Sequence, residues 1–181
     1  VHEDHSVPGE VRNTLARVDL DGTAPLRTLA SGHDFYAAPR LSPDGTSISC
    51  ASQPGVVALM LDQLDAQPGE RILELGAGTG YNAGLLAHLV GESGHVTTLD
   101  VDDDLVEGAR TRLAAAGITN VEAVTRDGAL GYAEAAPYDR IIATVGAHGV
   151  PHAWLQQLAP GGRLLVPQRL KGTVSRSIAY E

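Results

Sequence analysis

Cysteine, lysine and long apolar runs are all scarce in this sequence of 181 residues. The one cysteine, Cys50, rules out an internal disulfide framework and a cysteine-based metal site, and accords with a reducing compartment. The one lysine, Lys171, stands beside twelve arginines, and 22 acidic residues outweigh them to leave a formal net charge of −9. That balance argues against a nucleic-acid binder, because backbone phosphates demand a basic face and no Lys or Arg run supplies one. No apolar run approaches the ~20 residues of a membrane span. The first residues, "VHEDHSVPGE", lack the charged-then-apolar order of a secretion signal. A cytosolic protein bound to neither nucleic acid nor membrane is the expectation.

What is present is enough apolar material, 43% of the chain, for one buried domain and a small appendage. Two grammars meet near residue 46. From Thr14 to Ser49 short strand-like runs ("TLARVDL", "LRTLA", "LSPDGTSI") alternate with turn signals, and no helical period is visible. From Pro54 onward helices and strands alternate. "GVVALMLDQL" reads as a helix and "ERILEL" as a strand running into a glycine loop; "YNAGLLAHLVG" is the next helix and "HVTTLD" the next strand. "DLVEGARTRLAAAG", "NVEAVTRD", "YDRIIATVGA", "PHAWLQQLAPGG" and "RLLVPQ" continue the alternation as helix, strand, strand, helix and strand. Such an order implies right-handed crossovers and a Rossmann-like, doubly wound, mostly parallel α/β sheet. The expected division is a β-rich appendage over 1–50 and an α/β domain over 51–181.

In such a sheet the ligand lies beyond the carboxyl ends of the strands. Gly76, Gly78 and Gly80 sit there, where glycine lets the backbone approach a ligand, and the helix starting near Tyr81 aims its N-terminal amides into the same space. Their spacing is not the G-x-G-x-x-G of a dinucleotide site, and no Lys follows the loop as a triphosphate site requires. The second strand ends in Asp100, able to accept both hydroxyls of a ribose. The third ends in Asp127-Gly128, able to grip an exocyclic amine such as that of adenine. Each has a plainer reading: a tight turn for the loop, and helix N-caps for Asp100 and for Asp102, Asp103 and Asp104. Three such elements at successive strand ends point to one adenosine-like ligand.

The segments "LELGAGTGYNAGLLA", "HVTTLDVDDDLVEGAR", "RDGALGYAEAAPYDRIIATVGA" and "LAPGGRLLVP" together resemble the protein-L-isoaspartate O-methyltransferases, over roughly Ile48 to Tyr180. Tyr81-Asn82, the run from Asp127 to Asp139 and Ser52-Gln53-Pro54 carry the more specific part of that resemblance. It implies S-adenosylmethionine as cofactor and a peptide or protein carrying isoaspartate as substrate. It also implies a cofactor site built from Glu74, Gly76, Ala77, Gly78, Gly80, Tyr81, Asn82, Asp100, Val101, Asp127, Gly128 and Thr144. Ser52 is implied as the catalytic residue that hydrogen-bonds the substrate, with a helix N-cap as its plainer role; the backbone near Thr144-Val145 would complete the alignment. A carboxylate is ionised at pH 7, so methyl transfer to it asks for alignment and exclusion of water more than for a strong base or a metal.

Other residues carry less. His2, Glu3, Asp4 and His5 have a metal-like composition but read as a solvated tail, and no metal site is expected. His148 and His152 fall near the site mouth. Tyr138, Trp154 and Cys50 read as packing residues. The segment from Asn13 to Gly45 looks like a blade fragment of the β-propellers of prolyl-oligopeptidase-type peptidases, which suggests a fusion. At the other end the chain stops inside what reads as the sixth strand, so no antiparallel last strand is expected. Alternative readings are a homologue that methylates Asp of a dedicated peptide, and a truncated module that binds cofactor without turnover.

Overall fold

A computed structural model describes the backbone of five N-terminal strands, and residues 54–147, 149–169 and 175–181. The chain divides into two compact units, Val1–Val57 and Ala58–Glu181.

In the first unit β1 (His2–Asp4), β2 (Arg12–Arg17) and β3 (Arg27–Ser31) form an antiparallel sheet, with β2 between the other two. β4 (Ala37–Leu41) and β5 (Ile48–Ala51) form an antiparallel pair. His2–Asp4, expected as a solvated tail, is therefore a strand, paired from His2 opposite Thr14 to Asp4 opposite Arg12. His5 and the segment 42–47 lie outside the described residues, as do the side chains of all five strands, including that of Cys50.

Helix α1 (Pro54–Leu64) begins the alternating part of the chain. β6 (Arg71–Leu75) carries a continuous apolar run apart from Glu74, and Ile72 through Leu75 are all buried, as a central parallel strand covered on both faces requires. α2 (Tyr81–Val90), β7 (His95–Asp100), α3 (Asp103–Ala115), β8 (Val121–Thr125) and β9 (Tyr138–Ala143) follow. Val106, Ala109 and Leu113 recur at the helical spacing that places one face of α3 in the core. The plainer reading of one acid is the observed one: Asp102 caps α3, its carboxylate accepting the Asp104 N–H at 3.0 Å.

α4 (His152–Gln157) and β10 (Leu158–Arg169) correct the expected helix over "PHAWLQQLAPGG". The helix stops at Gln157 because Pro160 has no N–H to donate and pushes Ala159 out of the helical region. Leu158 pairs with Tyr138 instead, and the register shifts before Arg163. A second correction concerns the end of the chain. β11 (Ser175–Tyr180) does form, antiparallel to β10 in six consecutive pairs from Leu164 opposite Tyr180 to Arg169 opposite Ser175. The resulting six-stranded sheet has the order β11-β10-β9-β6-β7-β8, parallel except for β11. The chain leaves β6 toward β7 on one side and returns to β9 on the other, so the switch point lies at the carboxyl ends of β6 and β9.

Candidate functional site

At that switch point the strand ends enclose a cavity of about 630 Å³. One wall is Leu75 and Gly76 from β6 and its loop, with Leu99, Asp100 and Val101 from β7. Another is Asp127 and Gly128 after β8, and the third, after β9, is residues 145–147 and 149–151 with Trp154.

The glycine loop is shaped by what it must clear and what it must satisfy. Gly76 has φ +104, and a Cβ there would sit 2.6 Å from Val145 Cγ1 and 2.7 Å from Thr144 Oγ1, so only glycine lets the loop lie under the β9 end. Its N–H and that of Ala77 both donate to the Leu99 carbonyl, at 2.8 and 2.9 Å. Gly78 donates to Asp100 Oδ2 at 3.0 Å, while Asp100 Oδ1 accepts the Val101 N–H at 2.9 Å. The Thr144 hydroxyl donates to the Gly76 carbonyl at 2.8 Å. Gly80 is the N-cap of α2 and supplies no side-chain cap to its first amides.

Of the residues expected at the cofactor, Gly76, Asp100, Val101, Asp127 and Gly128 line the cavity. Ala77, Gly78 and Thr144 stand behind that wall, holding the loop as described. Gly80 and Tyr81 border a separate cavity of about 330 Å³. Glu74 and Asn82 do not line the main cavity. Glu74 is fully buried and accepts from the Thr98 hydroxyl at 2.6 Å and from Asn82 Nδ2 at 2.7 Å, tying β6, β7 and α2 together. Burial pushes its carboxyl up to about 7, against the two hydrogen bonds that favour the ionised form, and the nearby Asp100 charge adds to the rise. Ser52 and His148 lie outside the described residues, and His152 begins α4 on an exposed position.

The sequence places Thr144-Val145 and His152 near the site, but it does not announce Trp154 as a lining residue. Trp154 is indeed buried in the core, but it also faces the cavity, and its indole N–H donates to the Gly128 carbonyl at 2.7 Å. Gln157, one turn on, accepts the Tyr132 N–H at 2.7 Å and donates to the Leu130 carbonyl at 2.9 Å, which fixes the segment after Asp127. Asp127 itself accepts the Ala129 N–H at 2.9 Å. A polar residue three after a tryptophan on a short helix was the available signal.

The chemistry of the lining is selective. Two carboxylates, exposed backbone and an otherwise apolar wall suit a nucleoside bearing hydroxyls and positive charge. No cationic side chain is present among the described lining residues to meet a phosphate. The doubly wound sheet with its antiparallel edge strand is the fold of the Rossmann-like S-adenosylmethionine-dependent methyltransferases.

The comparisons narrow the class. The sequence model of the family described as Protein-L-isoaspartate(D-aspartate) O-methyltransferase (PCMT) matches residues 35–176, and the chain belongs to that family. A protein-L-isoaspartate O-methyltransferase of Methanothrix thermoacetophila is 47% identical over 116 residues, covering 64% of this chain and 55% of the relative. That of Thermotoga maritima is 42% identical over 128 residues, 71% of this chain and 40% of the relative. A solved structure described as a protein-L-isoaspartate O-methyltransferase superposes with a TM-score of 0.71 at 38% identity, over 77% of this chain and 44% of the other. The matched part of the chain thus spans about half the length of these curated relatives. The family match also begins at residue 35, thirteen residues before the Ile48 start of the resemblance read from the sequence. It takes in residues 35–45 of the segment that looks like a propeller blade.

Proposed function

We propose that this chain carries the cofactor-binding and methyl-transferring part of a protein-L-isoaspartate O-methyltransferase, acting on isoaspartyl carboxylates in peptides or damaged proteins. The observation that carries the reading is the Asp100–Gly78 contact at 3.0 Å, which sets a carboxylate and a left-handed glycine loop at one cavity wall, in a chain of this family. The cofactor is S-adenosylmethionine. When bound, it supplies a methyl group activated by its sulfonium.

The residues present fit that group. Gly76 leaves a cradle that a Cβ would fill, and Asp100 stands where a ribose would offer its hydroxyls. Asp127 and the Gly128 backbone face the same space from the β8 end, as an adenine amine requires. Ala77, Gly78 and Thr144 act through the loop; Glu74, Tyr81 and Asn82 act through the start of α2. The acceptor carboxylate arrives ionised, so the chain has no proton to remove. What it must do is hold that carboxylate in line and keep water out. The apolar wall of Val145, Val150 and Trp154 serves the exclusion. Ser52 is assigned the positioning hydrogen bond to the substrate by its place in the family-like "SQP" run, and Thr144-Val145 the backbone side of the same grip.

The working unit proposed is residues 51–181 with a β-rich segment before it. A propeller-blade origin for residues 13–45, and with it a fusion, has its support only in the sequence likeness of that segment. Titration calorimetry with S-adenosylhomocysteine tests the cofactor assignment, with saturable one-site binding expected and an absence of heat against it.

A further inference from the structure

The glycine loop is held, residue by residue, by the segment that runs from the end of β7 into α3. Leu99 accepts the amides of Gly76 and Ala77, and Asp100 accepts that of Gly78. The last two positions meet α3 itself. A Cβ on Gly80 would lie 3.1 Å from Ala109 Cβ and 3.2 Å from Ala109 Cα, so the loop rests directly on the helix backbone. Arg112 Nη1 donates to the Thr79 carbonyl at 3.4 Å.

Gly108 explains how that reach is possible. Glycine inside a helix is unfavourable, and α3 has no turn or positive φ at this position to need it. A Cβ at 108 would sit 2.9 Å from Arg112 Nη1 and 3.4 Å from Nη2. The missing side chain is the space in which the guanidinium lies, one turn back along its own helix, before it reaches across to the loop. Thr79, Gly80, Tyr81 and Arg112 all line the smaller cavity.

We propose that Arg112, seated over Gly108, is a positioning residue that latches the Thr79-Gly80 end of the glycine loop to α3 and so sets cofactor affinity. The inference rests on the cofactor reading above for its effect on affinity, while the latch itself is a property of the protein without ligand. Three single variants test it: Gly108→Ala, Arg112→Gln and Arg112→Lys. Gly108→Ala displaces the flexible end of Arg112 while improving helix propensity, so its Tm stays level or rises although the latch is lost. Calorimetry should show the Kd for S-adenosylhomocysteine three- to tenfold higher in Gly108→Ala and Arg112→Gln, and within twofold of the parent in Arg112→Lys. The Gly108→Ala/Arg112→Gln double variant should be no weaker than either single one. In the unliganded protein, amide exchange at Gly78 and Gly80 should be faster in the first two variants and restored in the third. A parent that binds with variants that match it in both Kd and exchange overturns the latch. A parent that does not bind overturns the cofactor reading, and the exchange rates alone then decide the latch, equal rates rejecting it.

Discussion

The hydroxyl of Thr98 on β7 donates to the carboxylate of Glu74 on β6 at 2.6 Å, in the fully buried middle of the sheet. Both donors that reach this carboxylate, Thr98 and Asn82, favour its charge, and burial opposes it more strongly. The folded carboxyl therefore binds its proton up to about pH 7, whereas an unfolded one releases it near the ordinary 4.5. Between those values the folded state holds more protons than the unfolded one, so this residue's contribution to stability falls as pH rises, and the loss is complete above about 7.

Glu74→Gln should remove that dependence. Urea unfolding of parent and variant from pH 4.5 to pH 8 should show the parent losing on the order of 3 kcal/mol relative to the variant by the upper end. A parent-to-variant difference that is constant with pH contradicts the assignment.

Trp154, the one tryptophan in the chain, lines the cavity. Its emission should therefore change saturably as S-adenosylhomocysteine is added, with the midpoint that calorimetry gives. Trp154→Phe keeps most of the apolar bulk but leaves the Gly128 carbonyl without its donor, and should lower stability by about 1–3 kcal/mol. Emission that ignores a bound ligand would place the ligand elsewhere.

Asp100 and Asp103 are three residues apart and should behave differently. Asp100→Ala removes the acceptor of the Gly78 amide together with the carboxylate proposed to hold the ribose, and should weaken cofactor binding by about 1–3 kcal/mol. Asp103 opens α3 at an exposed position and lies off the cavity, so Asp103→Ala should leave affinity unchanged. Equal affinities for the Asp100 variant and the parent would remove the ribose assignment.

Gly76→Ala should do more damage than either. Its Cβ meets the Val145 and Thr144 side chains at 2.6 and 2.7 Å with φ at +104, so strain and overlap add. A destabilisation of about 2 kcal/mol or more, read from thermal unfolding, is expected along with loss of cofactor binding. An unaltered Tm would mean that the loop has room to move.

Periodicity and spacing made much of this legible in advance. The apolar run of β6, the Val106-Ala109-Leu113 stripe of α3 and the strand-end positions of Asp100 and Asp127 follow from local rules. The end of α4 did not, because Pro160 and the glycines after it can terminate a helix or open a bulged strand, and only pairing with β9 decides. β11 was missed for a related reason: antiparallel pairing with β10 is a tertiary choice that a short edge segment does not announce. At the site, the walls contributed by one strand end and its loop could be read. Trp154's place in the lining could not, since the segment after β9 is brought to Gly76 only by the crossover between β6 and β9. Glu74 looks like a ligand from its place in the loop motif. In the structure it is buried, hydrogen-bonded to Asn82 and Thr98, and does not line the cavity.

The reaction proposed for this chain is methyl transfer to an isoaspartyl carboxylate. An isoaspartyl peptide and the same peptide with normal Asp differ by one methylene in the reach of the acid from the main chain, a misplacement of about 1 Å that alignment-based catalysis should register as roughly 10²-fold in rate. Incubated with S-adenosylmethionine, the chain should put one base-labile methyl group on the isoaspartyl peptide and almost none on the Asp peptide, and Ser52→Ala should slow that transfer with little change in cofactor affinity. Preferential methylation of the Asp peptide, or tight cofactor binding with transfer to neither, would contradict the account.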